Sequence, residues 1–131
     1  MSRSLLTART GTQRTVIALG HLPDPALSPN KRLHYMGLYR AKAAAKQEAA
    51  ALVLAQGKPD HPYERAHTTI TWIAKDKRRR DFDNLLSSMK AYIDGLVGAG
   101  LLADDDAMHV SYTLRYERGD KDNTIMEVEE V

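Results

Sequence analysis

Cysteine is absent from this sequence of 131 residues, which excludes disulfide bonds, thiolate metal sites and a cysteine nucleophile. Excess charge is also small: 19 Lys and Arg against 17 Asp and Glu leave a net charge of +2, which excludes a generally basic protein. The longest apolar run, residues 49–55, is too short to cross a bilayer, and the first residues lack the apolar core of a signal peptide. These absences predict a soluble cytoplasmic protein that does not associate with a membrane.

The hydrophobic pattern predicts one domain over residues 1–131, with residues 1–13 loosely ordered. Runs of β-branched residues and period-two alternation indicate strands, whereas runs of good helix formers and 3.6-residue spacing indicate helices. The predicted strands are 15–19, 66–74, 110–116 and 124–131, and the predicted helices are 32–56 and 84–97. The fold class is therefore α/β (α+β), in the order β-α-β-α-β-β, with a mixed sheet, two helices and a C-terminal hairpin.

Charge is concentrated in one segment, where a run of cations leads directly into two carboxylates. The cations are Lys75, Lys77, Arg78, Arg79 and Arg80, which are five of the 19, and the carboxylates are Asp81 and Asp83. Clustered carboxylates repel one another unless they are neutralised, usually by a divalent metal that prefers oxygen ligands. Adjacent cations indicate an anionic substrate, and a phosphodiester backbone fits best. The segment therefore predicts a metal-dependent nuclease.

A second acidic cluster, Asp104-Asp105-Asp106, follows the second helix and precedes the next strand. If Asp81 is extended, period-two geometry places it on the same side as Asp83, and Asp83 also fits the N-cap of a helix that starts at Asn84. Neighbouring strands could bring one carboxylate of the second cluster to this pair, which would complete a site for Mg²⁺ or Mn²⁺.

The helical phase adds a cation to the predicted site. At about 100° per residue, Asp83, Ser87, Lys90 and Asp94 share one stripe, opposite an apolar face. That apolar face carries Leu85, Met89, Ile93 and Leu96. Lys90 could then stabilise charge on a scissile phosphate or protonate a leaving oxygen.

Each of these signals has a structural alternative. Asp83 can be a helix cap alone, Asp104 to Asp106 a solvated turn, the cations a solvated patch, and Lys90 with Asp94 an ordinary salt bridge. Asn30, Lys31 and Arg32, ahead of the first helix, could bind DNA phosphates, or Asn30 could simply cap that helix. We assign Tyr35, Tyr39, Trp72 and Tyr92 to packing in the core or in a dimer.

The joint order of these motifs resembles the RusA family of Holliday junction resolvases, which are common in phages and prophages. The resemblance lies in Arg79-Arg80-Asp81-Phe82-Asp83-Asn84-Leu85, then Lys90, Asp94-Gly95-Leu96, Asp104-Asp105 and Val110. It covers residues 76–116 well and extends weakly to residues 27–30. One departure is Ser87, which stands where the best-known members carry a Lys, so that the catalytic role passes to Lys90, three residues later.

The resemblance implies a cytoplasmic homodimer, in a bacterium or a phage-infected cell, that nicks four-way DNA junctions symmetrically with Mg²⁺ during recombination and repair. It implies catalysis by Asp81, Asp83, Lys90 and Asp105, with Asp81, Asp83 and one Asp of the second cluster, Asp105 ahead of Asp104, as metal ligands. Two alternatives stay open: a metal nuclease acting on other DNA or RNA structures, and a non-catalytic nucleic-acid-binding protein with a structural Asp cluster.

Overall fold

A computed structural model describes residues 13–31 and 34–131 of the chain. Its elements in chain order are β1 (Arg14–Ala18), a 3₁₀ turn (Pro25–Leu27), α1 (Tyr35–Gln56), β2 (Ala66–Ala74), α2 (Phe82–Ser87), α3 (Lys90–Gly98), β3 (Val110–Arg118) and β4 (Asn123–Glu130). The predicted α+β class and the four predicted strands are confirmed. The loosely ordered start and Arg32, the first residue of the predicted helix, fall outside the described residues.

The four strands form one mixed sheet in the order β1-β4-β2-β3. β4 runs antiparallel to both β1 and β2, whereas β2 and β3 are parallel, as strands joined by a helical crossover should be. The two C-terminal strands follow each other across a short connection and run in opposite directions, as predicted. They are not hydrogen-bonded to each other, because β2 lies between them.

Helices α1 and α3 pack on the inner face of the sheet, over buried Ile70, Trp72, Met126 and Val128. A glycine makes their close approach possible: a Cβ at Gly95 would lie 2.3 Å from the Lys46 carbonyl oxygen and 2.9 Å from Ala49 Cβ. Gly95 therefore fixes where α3 lies.

Helix α1 ends at its C-cap residue, Gly57. This glycine has φ 89°, a conformation that residues with a Cβ rarely adopt.

The predicted helix 84–97 is interrupted in the structure. Ser88 and Met89 separate α2 from α3; the Ser88 hydroxyl donates to the Asn84 carbonyl at 2.9 Å, and Met89 N donates to the Leu86 carbonyl, one residue tighter than an α-helical bond. Back-bonding of a Ser hydroxyl in this way commonly bends a helix. The apolar face is nevertheless buried as predicted, with Leu85, Met89, Ile93 and Leu96 all in the core.

Within the described residues, no helix is both long enough and apolar enough to cross a bilayer.

Candidate active site

Lys90 lies at the centre of a polar cluster formed by α3 and the acidic turn at residues 104–106. Its ammonium group donates to Asp94 Oδ1 at 2.8 Å and to Asp105 Oδ2 at 2.5 Å. The predicted i,i+4 pair with Asp94 is therefore present, and a second partner comes from 15 residues further along the chain. Asp105 is less exposed than Lys90: 18% of its side chain is exposed, against 65% for Lys90.

Lys90 and Asp105 each stabilise the charged form of the other. The hydrogen bonds that the Lys90 ammonium group donates to Asp105 and then to Asp94 raise the pKa of Lys90 far above its ordinary value, despite the opposing effect of burial. Conversely, the hydrogen bond from Lys90 lowers the pKa of Asp105. Both groups are therefore charged in this arrangement, with the Lys90 ammonium group held between two carboxylates.

A cleft of about 430 Å³ opens beside this pair, between the helical segment and β3. Its lining includes Leu86, Ser87, Lys90, Asp105, Asp106 and Tyr112. Burial, followed by the charge of Asp105, raises the pKa of the Tyr112 phenol, so Tyr112 stays protonated. The cleft thus presents a cation and a carboxylate side by side, both open to a ligand.

The 104–109 turn brings a further set of potential metal ligands together. Asp104, Asp106 and His109 each offer one ligand atom within 4.8 Å of the others, and within the described part of the chain no other group of three such side chains does so. His109 Nδ1 lies 2.6 Å from Asp106 Oδ1. Two carboxylates and an imidazole suit Mn²⁺ better than Mg²⁺, which prefers an all-oxygen shell.

Asp81 and Asp83 lie at the start of α2, but not as the sequence predicts. The helix begins at Phe82, so Asp81 is the N-cap residue, without a side-chain capping bond, and Asp83 belongs to the first turn. The predicted N-cap role of Asp83 is wrong, and only Asp81 is extended (φ −100°, ψ 141°). Asp81 accepts a 3.4 Å bond from Arg79, and Asp83 accepts one from the Asn84 amide at 2.9 Å.

The described contacts do not join this first acidic pair to Asp104 or Asp105. Asp83 precedes Ser87 by one helical turn, and Ser87 lines the cleft that contains Asp105. Asp81 instead lines a separate cavity of about 480 Å³. That cavity is bounded by residues 22–30 of the loop before α1 and by the basic segment, including Asn30, Arg78, Arg79, Arg80, Asp81 and Asn84.

The cations of the basic segment do not share one environment. Lys75, Lys77, Arg78 and Arg79 are exposed, whereas the Arg80 side chain is only 16% exposed. Arg80 forms a two-point bond with Asp76, at 2.7 and 3.1 Å, and a further bond with the Tyr116 hydroxyl at 3.0 Å. Arg80 is therefore committed to holding the segment against β3, and its guanidinium is not free for phosphate.

The residues ahead of α1 are placed in part. Asn30 and Lys31 are exposed, and Arg32 lies outside the described residues. The alternative that Asn30 caps α1 is wrong, because the N-cap residue is His34, whose Nδ1 accepts from the Met36 amide at 3.3 Å. Trp72 and Tyr92 are core residues as predicted, but Tyr35 and Tyr39 are 72% and 67% exposed and are not packed in this chain's core.

Two residues in these clusters, His109 and Tyr116, are not among the site residues predicted from the sequence. The Asp106-x-x-His109 spacing, which suits one turn of chain, is a signal that could have drawn His109 into the site. Tyr116 has no such signal, because its contact with Arg80 spans 36 residues.

Comparison with known proteins gives no assignment: no protein-family model matches this chain, and no curated protein matches it. The resemblance to RusA resolvases therefore remains a prediction from the residues.

Proposed function

We propose that this protein is a metal-dependent endodeoxyribonuclease of the RusA type, a homodimer that resolves four-way DNA junctions by paired symmetric nicks in recombination and repair. The observation that carries the proposal is the Lys90–Asp105 pair. It joins a cation to a carboxylate across 15 residues of chain, inside an open cleft. The Lys90 side chain is 65% exposed, and an ion pair that solvent screens on one side contributes little to stability, so a purely structural role explains this arrangement poorly.

Lys90 is the residue we assign to charge stabilisation. Its raised pKa keeps the ammonium group charged, which suits a cation placed beside a phosphorane-like transition state and disfavours protonation of the leaving oxygen. Of the two roles open to Lys90 from sequence, electrostatic stabilisation is the one we propose. Asp94 and Asp105 would orient the ammonium group until a phosphate replaces one of them.

Asp81, Asp83 and Asp105, with Asp104 as the alternative third carboxylate, are the proposed metal ligands. Support for carboxylate ligands comes from the chemistry of the donors, since carboxylates are the ligands that Mg²⁺ and Mn²⁺ prefer. The convergence of Asp104, Asp106 and His109 supports a metal at the second acidic turn, and Asp104 is the one member of that group that belongs to the proposed set. A bound divalent ion would supply Lewis-acid polarisation of the phosphate and a water of lowered pKa. The proposed cofactor is Mg²⁺, with Mn²⁺ as the alternative.

The four exposed cations of the basic segment, Lys75, Lys77, Arg78 and Arg79, are the proposed phosphate contacts, together with Asn30 and Lys31 across the adjoining cavity. Of these residues, Asn30, Arg78 and Arg79 line that cavity together with Asp81, which supports a path for the DNA backbone towards the metal ligands. Arg80 would act indirectly, by holding this segment in place through Asp76 and Tyr116.

Cleavage of three labelled substrates tests the proposal: a synthetic four-way junction, the linear duplex and the single strand, each with Mg²⁺, Mn²⁺ or a chelator. We expect nicks in symmetric pairs on the junction only, and none with chelator. Equal cutting of all three would identify a general nuclease, and binding without cutting in either metal would identify a non-catalytic protein.

Asp83→Asn locates the site within the same assay. We expect it to abolish nicking while junction binding stays equal or tightens, because a negative charge near phosphate is removed. The matched control is Asp60→Asn, an exposed carboxylate of the α1–β2 loop, which should cut normally. Metal-dependent cleavage at the wild-type rate in Asp83→Asn would refute the assignment of this carboxylate.

A further inference from the structure

A groove between α1 and α3 has no role in the nuclease proposal. We infer that it binds the phosphate backbone of a DNA strand that leaves the 430 Å³ cleft beside Lys90, called the Lys90 cleft below. We call it the α1–α3 groove; it has a volume of about 830 Å³ and is lined chiefly by Tyr39, Lys42, Lys46, Lys90, Asp94 and Gly98. The inference extends the proposed function, because it names the path of the substrate. It stands on its own as a statement about nucleic-acid binding.

The α1 wall of the groove presents aromatic and basic side chains in one line. Tyr35, Tyr39, Lys42 and Lys46 fall within about 60° around the helix axis when each residue advances about 100°. The two tyrosines are 72% and 67% exposed, and both lysines are exposed. The two tyrosines, which the sequence assigns to packing in the core or in a dimer, thus flank a cationic surface in the single chain.

The α3 wall keeps the groove open because it carries small residues. A Cβ at Gly98 would lie 3.5 Å from Lys46 Cε, so the Lys46 side chain extends across the surface of α3. The floor of the groove is formed by short side chains, among them Ala50, Ala91 and Gly95. A strand could therefore lie between the helices within reach of the Lys46 ammonium group.

The groove and the Lys90 cleft share a boundary residue. Lys90 lines both cavities, one on each side of α3. Among the described residues that line the groove, Asp94 is the one carboxylate, and it already accepts a 2.8 Å bond from Lys90. The remaining charge of the groove is positive, so a phosphate bound beside Lys90 can continue over α3 without meeting an unpaired negative charge.

The spacing of the cations matches a polyanion with closely repeated charges. Lys42 and Lys46 are one helical turn apart, a rise of about 6 Å, which is close to two phosphate steps of about 3.4 Å each along the axis of a duplex strand. An exposed Tyr39 next to them could stack on an unpaired base or a sugar, which is common in single-strand sites. An acidic protein segment could also pair with these lysines, but its binding would not explain why the groove continues into the cleft.

The test measures junction affinity as a function of salt in the presence of a chelator, where no cutting occurs, for the full-length wild type, Lys46→Gln and Lys42→Gln/Lys46→Gln. We expect weaker binding in each step, with the slope of log K against log salt falling by about 0.9 per lysine for duplex or about 0.7 for single strand. Arg40→Gln is the matched control: it is exposed on α1, about 120° from Lys46, and should leave the slope unchanged.

The outcomes separate this inference from the nuclease proposal. Wild-type affinity and slope in the double variant would overturn the groove, even if the wild type cuts junctions as proposed. A wild type that binds but never cuts, with a reduced slope in the double variant, would keep the groove and reject the nuclease. Equal loss in Arg40→Gln would also overturn the inference, because it would show a general charge effect.

Discussion

The two acidic segments of this protein, residues 81–83 and 104–106, are held in different ways. The first makes only local contacts: Asp81 bonds to Arg79 and Asp83 to the next amide. The second is tied to distant chain, because Asp105 bonds to Lys90, and Asp106 bonds to His109 within the turn. The first segment is easily recognised in the sequence, whereas the second is held by side-chain contacts to residues outside it.

This difference shows what a motif contributes and what packing contributes. The Asp81-x-Asp83 pattern follows a strand and starts a helix, so its placement is decided by neighbours in sequence. Asp105 reaches the site because α3 is seated on α1 and the chain returns to β3 beside it. A change in the packing of α3 should therefore affect the second segment and spare the first.

Breaking the long-range link should have the largest effect. We expect Lys90→Gln to lower the single-turnover rate of junction cleavage by about 10²–10³-fold, the usual loss when one transition-state stabiliser is removed. Stability should change by at most about 1 kcal/mol, because the Lys90 side chain is 65% exposed and solvent screens its bond to the less exposed Asp105. Lys58→Gln, an exposed lysine outside the three cavities described, should cut normally. A normal rate in Lys90→Gln would leave the second segment with a structural role only.

Shifting α3 should have the next largest effect. Gly95→Ala would place a methyl group 2.3 Å from the Lys46 carbonyl oxygen, so the two helices must separate. We expect a loss of about 1–3 kcal/mol in the free energy of unfolding, measured by urea denaturation, as for other overpacked cores. Gly98→Ala is the matched control, because its methyl group would meet only Lys46 Cε at 3.5 Å and should be neutral or stabilising. Equal stability of both variants would argue against the helix contact described.

Acid titration of Asp76, in the segment before Asp81, should show the smallest effect. It tests the local contacts that hold the chain leading into the first acidic segment. The hydrogen bond from Arg80 is the main reason that the pKa of Asp76 is lowered to about 2, from an ordinary 3.8. Because the folded pKa is the lower one, the stabilisation is complete above about pH 4 and is lost as the pH falls towards 2. The carboxyl chemical shift of Asp76 should report this titration in NMR.

Variants of the two arginines provide the control for that titration. Arg80→Met should raise the pKa of Asp76 towards 3.8, and the stability difference from wild type should shrink between pH 4 and pH 2. Arg79→Met should leave Asp76 unchanged, since Arg79 is 89% exposed and bonds to Asp81 instead. A titration of Asp76 near 3.8 in the wild type would show that the Arg80 bond does not persist in solution.

Sequence patterns predicted the elements well and their junctions less well. The periodicity of Leu85, Met89, Ile93 and Leu96 gave the correct buried face, because hydrophobic burial depends on local spacing. The same periodicity could not show the break at Ser88–Met89, which depends on one hydroxyl bonding to a carbonyl in the previous turn. Asp83 was misplaced as a cap for a related reason, since a helix start can shift by two residues without changing its apolar face.

The sequence by itself determined the α+β class, the four strands, the apolar faces of the helices and the Lys90–Asp94 pair, because all of these depend on the spacing of neighbouring residues. Only the tertiary structure decided that β2 separates the last two strands, that Arg80 is held by Asp76 and Tyr116, and that Asp105 meets Lys90. The side-chain contacts among these join residues up to 36 positions apart. They follow from how sheet and helices pack together, which no local pattern encodes.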